Sequence, residues 1–570
     1  MVTKLMHKDY LSAEMLKFLG RHPFVVLAVC CFLCIFLTSS EQLNIIGAGL
    51  PALIFLLGGL TGARCVCSRV NEKSRRTLRI SLSIITLVFA VIFYQLLKIS
   101  LRPQLVLLCT GTAVTAAAGT YLFCIKKMTA KRLAVLLFII GFLMRLAYIM
   151  TVGVKYKQHD IGSIENMDGH LGYIAYFTYN MKLPDFDVRN VYQFYHPPLH
   201  HFLAAVWVRL QSHMGINPEY YWENVQLLTL FYSGCCMILC YKLFRLLSLS
   251  GKGLCAAIAV ICFNPTFFIL TGSINNDILS LTLLLGAFVN TLHWYRSRSF
   301  GRIMCISACV GLSMMAKLSG WMAAPAIAFI FILVFFRDIK NFKKYIIQFA
   351  SFLGLSVPLG LWWEIRNNIA YGVPVTYVMK LSERSRQYIG DIPVMKRLFD
   401  FSPYQFSDVS DQFILYNAPY NEFNPLIALF KTSAFDEMYT VKNYPQVAGW
   451  DRLLFWSIVI VGIIGFAAMI FTFFCDRKMS VVHKLFAAII YMTYFIGYYI
   501  FCFSFPHVCT ENIRYAVPLI VMGAFFFGKG IYLLGRKKGI PAMTGRILLY
   551  IVTAVYSVSS FVFYYITYMH

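Results

Sequence analysis

Apolar residues along this chain run in blocks of about 20, the length a helix needs to cross a hydrocarbon core. Blocks of this kind fall near 23–39, 43–62, 78–99, 104–125, 132–153, 225–248, 253–272, 277–295, 302–318, 320–336, 345–363, 453–475, 482–504, 514–533 and 546–567. They predict an all-α polytopic membrane protein with about 15 transmembrane helices. A shorter apolar stretch, Leu199 to Met214, contains His200, His201 and Arg209.

Charged residues decide how the blocks thread, because cytoplasmic loops hold an excess of Lys and Arg. Placing Lys4, Lys8, Lys17 and Arg21 inside also puts Arg64, Arg69, Lys73, Arg75, Arg76 and Arg79 inside, and then Lys126 to Arg132. If Leu199–Met214 crossed the membrane, every later basic cluster from Lys242 onward would fall outside. Read as a juxtamembrane helix, it leaves 32 of the 51 basic residues cytoplasmic. The N-terminus is then cytoplasmic and the C-terminus exoplasmic. Two long exoplasmic loops remain, 154–224 and 364–452, which hold 7 and 10 of the 25 acidic residues. They are the sizeable water-facing segments, and loops carry function when a rigid scaffold positions them.

Composition narrows the class. Of 570 residues, 59% are hydrophobic and 13% charged, with a mean hydropathy of +0.67. A soluble chain carries about 25% charged residues, so soluble multidomain, disordered, coiled-coil and disulfide-scaffold classes are excluded. A net charge of +26 would point to nucleic acid in a soluble protein. Here it is mostly an orientation signal, and no nucleic-acid partner is expected; membrane lipids are. The 17 cysteines lie largely in apolar runs, where cysteine packs as a small hydrophobe. Cys65-x-Cys67 has no second pair to complete a zinc site. The first apolar run lacks a clear cleavage site and reads as a signal anchor.

Ionisable residues against this background are the candidates for chemistry. Arg145 sits in the 132–153 helix; it either faces a partner or wet cavity or snorkels to the interface. The following loop places Asp160, Glu165 and Asp168 within nine residues. A base for an acceptor hydroxyl needs such a carboxylate in a sheltered cleft; the alternatives are solvated loop acids and a helix cap. Asp160 is best placed, directly past the membrane exit. Tyr195-His196-Pro197-Pro198-Leu199 follows at headgroup level, and His196 with His200 has metal-sharing spacing without an HExxH pattern. Asn276-Asp277 begins an outer helix end, where capping is the plain reading. Lys317, Arg366 and Arg514 oppose the positive-inside trend, with His507 and Tyr515 nearby in sequence to Arg514. Three outer cations facing an acid-bearing loop point to a carboxylate base and an anionic leaving group. For Lys317 a phosphate is the natural partner, and lipid headgroups alone also serve.

In their order these residues resemble the GT-C superfamily of integral-membrane glycosyltransferases, in particular bacterial members related to protein O-mannosyltransferases and the aminoarabinose transferase of lipid A. The resemblance rests on Arg145, Asp160, the Tyr195–Leu199 segment, Asn276-Asp277, Lys317-Leu318-Ser319-Gly320 and Arg366-Asn367 with Tyr371-Gly372-Val373-Pro374. Phe430-Lys431-Thr432-Ser433 and Arg514-Tyr515 with Pro518 complete it, so that it covers about 132–570. It implies transfer of a sugar from a polyprenyl-phosphate donor to a protein, lipid or wall-polymer acceptor on the exoplasmic face of a bacterial plasma membrane. Asp160 would be the base, with Glu165 and Asp168 beside it. Arg145, His196, Asp277, Lys317, Arg366, His507, Arg514 and Tyr515 would bind the substrate or its lipid phosphate. No cofactor is required, although the three loop acids offer oxygen ligands to a divalent cation. Four helices precede the resembling part, and Ile161 stands where the mannosyltransferases carry a second acid. The expected division is an accessory module over 1–131, a catalytic membrane core over 132–363 that includes the first loop, the second loop over 364–452, and C-terminal helices over 453–570. A transporter or flippase of a lipid-linked sugar would use the same cations without the base, and a non-catalytic envelope assembly protein would have no cleft joining Asp160 to Lys317 and Arg514.

Overall fold

In the computed structural model the described residues are 21–39, 43–67, 72–406, 423–436 and 445–568. Lys4, Lys8, Lys17 and Arg69, and the second-loop segments 407–422 and 437–444, lie outside them. The structure is 78% helical without a strand among the described residues. Among the described residues, eleven helices are long and apolar enough to cross a membrane, or twelve when a bent pair counts as one span. The protein is therefore an integral membrane protein. Three further expected spans form the shorter apolar helices Pro23–Thr38, Phe300–Ala316 and Pro518–Leu534. Each expected block is thus helical, while fewer than the expected 15 reach spanning length. Leu199–His213 forms a 15-residue helix outside the spanning set.

Local chemistry sets the helix ends. Pro103, Pro265, Pro425 and Pro518 each open a helix, where the missing N–H costs nothing. Thr129 and Ser480 cap their helices by accepting from the amides of Arg132 and His483.

The expected 253–272 span departs most from a straight helix. It breaks into Gly251–Phe263 and Pro265–Gly272, bent by 41°. Pro265 has no N–H for the carbonyl of Ile261 and disfavours helical backbone at Asn264. The Thr266 amide turns to Asn264 Oδ1 at 3.0 Å instead of continuing the ladder. The carbonyls of Ile261 and Cys262 are thereby orphaned inside the bundle. Arg145 satisfies both: Nη2 donates to Ile261 O at 3.1 Å and Nη1 to Cys262 O at 2.9 Å. Nη1 also reaches Gly141 O at 2.7 Å, Nε reaches Ser233 Oγ at 2.9 Å, and the guanidinium lies 5.1 Å from the Phe268 ring centroid.

Packing is uneven along the chain. The central parts of Val225–Leu246 and Asp277–Ser297 are 67% buried, against 17% for Ile45–Arg64, Ser74–Ile99 and Pro103–Cys124. The early helices present apolar side chains outward, as lipid-facing helices do. The short Pro425–Phe435 helix of the second loop docks inward. Thr266 Oγ1 donates to Ser433 O at 3.3 Å, and the Ile513 amide donates to Thr432 Oγ1 at 2.9 Å. This ties the bent helix, the second loop and the segment before Pro518 into one region.

Replacing Arg145 by Leu leaves two buried carbonyls unpaired. The expected loss is at least about 2 kcal/mol, read as a lowered unfolding midpoint in detergent. Arg145→Lys, which cannot span the same acceptors, recovers only part of it.

Candidate active site

A cavity of about 930 Å³ opens where the two loops meet the helix ends. Asp160, His170, Tyr195, His196, Asp277, Lys317, Arg514 and Tyr515 contribute to its polar wall. A second, apolar part is walled by Trp321, Met322, Ile489, Met492 and Ile496 from the Leu318–Arg337 and Val481–Ser504 spans.

The loop that presents Asp160 is built tightly. Gly162 (φ +64°) and Gly169 (φ +68°) face each other so closely that a Cβ on Gly162 would lie 2.0 Å from Asp168 O. Left-handed backbone and this approach both demand glycine. Between them Ser163 and Asp168 pair backbone to backbone, and Asp168 Oδ1 accepts from the Ser163 amide at 2.8 Å. Asp160 itself adopts φ +55°, uncommon for a residue with a Cβ. Its Oδ2 takes a bond from Arg514 Nη2 at 3.0 Å and its Oδ1 from the Tyr192 hydroxyl at 2.5 Å. Burial pushes the Asp160 carboxyl up, but Arg514, the Tyr192 bond and the neighbouring histidines outweigh it. The group titrates well below the usual carboxylate range.

A second ion pair stands in the same cavity. Asp277 opens the Asp277–Ser297 helix and Lys317 closes the Phe300–Ala316 helix. An acid at a helix N-terminus and a base at a C-terminus both suit the helix dipoles, and here Lys317 Nζ bonds to Asp277 Oδ1. Tyr515 links the two pairs. Its ring centroid lies 4.9 Å from Lys317 Nζ and 4.8 Å from the Arg514 guanidinium carbon, and its hydroxyl accepts from Arg514 at 2.8 Å. His196 is held down to about 3 by burial and then by Lys317, so it faces the cavity as neutral imidazole.

The structure brings together Asp160, His196, Asp277, Lys317, Arg514 and Tyr515. It does not bring the other expected residues to the cavity wall. Arg145 is fully buried and committed to the broken helix. Asp168 is committed to the loop turn, and Glu165 is exposed at its tip. Arg366 donates to Pro184 O and lies 5.1 Å from the Trp363 ring centroid, joining the first loop to the Phe342–Tyr371 helix. His507 pairs with Tyr388 and bonds to Ser382 O at 3.3 Å, tying down the second loop. His200 Nε2 is engaged by Ile274 O at 2.8 Å, and His200 is not on the cavity wall that His196 lines.

No group of three or more His, Cys, Asp or Glu is arranged to hold a metal among the described residues. The loop acids do not fit a resident divalent cation: Asp160 is neutralised by Arg514, Asp168 is spent on Ser163, and Glu165 points to solvent.

Residues without an earlier role complete the site. Tyr192 bonds to Asp160. His159 Nε2 meets Asp436 Oδ2 at 2.6 Å, and Asn512 Nδ2 donates to Asp436 Oδ1 at 3.0 Å. Asn512 Oδ1 in turn accepts from the Arg514 amide at 2.9 Å. One buried carboxylate thus braces the residue before Asp160 and the turn that carries Arg514. Positions 159, 436 and 512 lie too far apart in sequence for any local pattern to connect them.

No protein-family model matches the chain, and no curated protein sequence matches it. Two similar solved structures are the oligosaccharyltransferase of Archaeoglobus fulgidus in the apo form and the archaeal oligosaccharyltransferase AglB from Archaeoglobus fulgidus in complex with an inhibitory peptide and a dolichol-phosphate. The first has 12% identity and a TM-score of 0.43, covering 76% of this chain and 55% of that one. The second has 12% identity and a TM-score of 0.44, covering 77% and 56%. This chain therefore spans little more than half the length of those proteins, and its chemistry rests on its own side chains.

Asp436→Ala strips His159 and Asn512 of a shared buried acceptor. The expected cost is about 2–3 kcal/mol, measured by thermal unfolding in detergent. Asp436→Asn, which keeps an acceptor, is expected to cost less.

Proposed function

We propose that the protein is a glycosyltransferase that moves a sugar from a polyprenyl-phosphate donor to an acceptor on the exoplasmic face, with Asp160 as general base. The observation that carries this reading is one cavity that joins a carboxylate, two cations and an apolar wall reaching into the spans. The apolar wall suits a lipid tail, Lys317 and Arg514 suit its phosphate, and Asp160 suits an acceptor hydroxyl. The order of motifs that resembles the GT-C superfamily supports the same reading.

In this reading the acceptor oxygen attacks the anomeric carbon of the sugar. The bond from that carbon to the phosphate oxygen breaks, and polyprenyl phosphate leaves with the electron pair. The acceptor proton passes to Asp160. A single displacement inverts the anomeric centre. Lys317 and Arg514 stabilise the charge that grows on the phosphate, and the sugar–phosphate bond supplies the driving force. Donor binding has a further consequence. A phosphate that engages Arg514 draws it from Asp160, so the carboxylate becomes more basic when a donor is in place. The helices before residue 131 form an accessory module in this scheme, and the core over 132–363 carries the base. The acceptor is a protein, lipid or wall polymer.

Asp160→Asn is expected to lower turnover by 10²–10⁴-fold in a radiolabelled transfer assay while donor binding survives. Unchanged transfer would remove Asp160 as the base, and transport of the intact donor without transfer would support a flippase instead.

The pH profile tests the ion pair. Asp160 is ionised well below its ordinary value near pH 4, so protonation of this group does not limit wild-type turnover at neutral pH. In Arg514→Met, burial acts with less opposition and the carboxyl titrates higher. The acid limb of the rate profile is expected to move to higher pH, and an unmoved limb would separate Arg514 from the base.

A further inference from the structure

We infer that Glu364 is a sugar-binding residue of this cavity, its carboxyl group taking hydrogen bonds from donor groups on the transferred sugar. The inference rests on the lipid-linked-sugar reading above and adds the residue that grips the sugar.

Glu364 lines the cavity and is 8% exposed. Its Oε2 is buried with no hydrogen-bond partner among the described residues. The other two carboxylates of the cavity differ in this respect, since Asp160 is closed onto Arg514 and Asp277 onto Lys317. A buried polar atom without a partner is costly. A ligand entering the cavity that Glu364 lines can relieve that cost by bringing a donor to the carboxyl.

The helix around Glu364 is anchored on either side. Trp363 is 1% exposed and its indole donates to Tyr195 O at 3.1 Å. Arg366 is engaged by Pro184 O and stacks on Trp363. Asn367, one turn on and on the same face, also lines the cavity. Glu364 and Asn367 therefore share one cavity-lining face of a fixed helix. Tyr195 and Tyr377 line the cavity too, with ring centroids 5.7 Å apart, and flat aromatic faces suit the C–H face of a sugar ring.

The chemistry selects among the parts of a donor and acceptor. A carboxyl group opposes a phosphate and gains nothing from an apolar tail. An acceptor hydroxyl has a single proton, which the reaction gives to Asp160. A sugar presents several donors that need acceptors, and a carboxylate offers about four lone-pair sites. Those donors are hydroxyls or an amino group.

The test is binding to the full-length protein in lipid nanodiscs. The probes are decaprenyl phosphate alone and decaprenyl phosphate carrying mannose, glucose, galactose, arabinose or glucosamine. Wild type is expected to bind at least one sugar-bearing probe about tenfold more tightly than the bare phosphate. In Glu364→Ala that gain disappears while binding of decaprenyl phosphate stays within about twofold, which also shows that the variant is folded. If Glu364→Ala does not fold, the isosteric Glu364→Gln and the shortened Glu364→Asp carry the comparison, and loss of the gain in Glu364→Asp gives the same support. Glu364→Gln keeps most of the gain for hydroxyl donors and loses it for an amino group; either result supports the assignment. An intact gain in both Glu364→Ala and Glu364→Asp would overturn it. So would equal binding of bare and sugar-bearing probes by wild type, or a change confined to the KM for acceptor. Decaprenyl phosphate binding that is indifferent to Lys317→Met and Arg514→Met would instead sink the lipid-linked-sugar reading itself.

Discussion

Burying charge is the constraint on which this structure turns. Besides Glu364, two carboxylates and two cations share one cavity above an apolar wall, and none of these four is stable there alone. Asp160 closes onto Arg514 and Asp277 onto Lys317, with the Tyr515 ring between the cations. Two like charges over one aromatic ring repel each other and tolerate the arrangement because each has its acid. The same arrangement favours an incoming anion, which can replace the acids as the partner of both cations. In the proposed reading, the neutrality of the two ion pairs and the affinity for phosphate come from one set of residues.

The surrounding fold supplies rigidity to that set. Pro265 breaks a helix and Arg145 repairs the break, fixing the Ile269–Gly272 stretch that runs toward the loops. From there Gly272 O accepts from Gln158 and Gln226 at 2.8 Å each, which holds the chain just before Asp160. Asp436 then locks His159 to Asn512. Asp160 and Arg514, more than 350 residues apart in sequence, are thus set from one buried brace rather than independently. The left-handed backbone at Asp160 fits this picture, since strained conformations persist where their surroundings over-determine them.

Much of the frame was legible in the sequence because hydrophobic length alone specifies a spanning helix. Lys317 and Arg514 stood out by opposing the charge trend, and Asp160 by its place at a membrane exit; the structure brings all three to one cavity. Arg145 gave the same signal of an intramembrane charge for a different cause. Its acceptors are carbonyls freed by a proline more than 100 residues later, which no local pattern reveals. Asp168 looked like a second reactive acid and is a turn residue, because Gly162 and Gly169 fold the loop back on it. Three expected spans form shorter apolar helices of 17 residues or fewer. Glu364 was hidden by the opposite effect: as one acid among ten in a loop it carried no distinction, and only its lack of a partner inside the cavity sets it apart.

The most direct measurement is a cryo-EM structure of the protein in nanodiscs with decaprenyl phosphate. The account predicts the phosphate within hydrogen-bond reach of Lys317 Nζ and the Arg514 guanidinium, with the tail lying between the Leu318–Arg337 and Val481–Ser504 spans. A phosphate bound away from both cations, with their carboxylate pairs undisturbed, would contradict it.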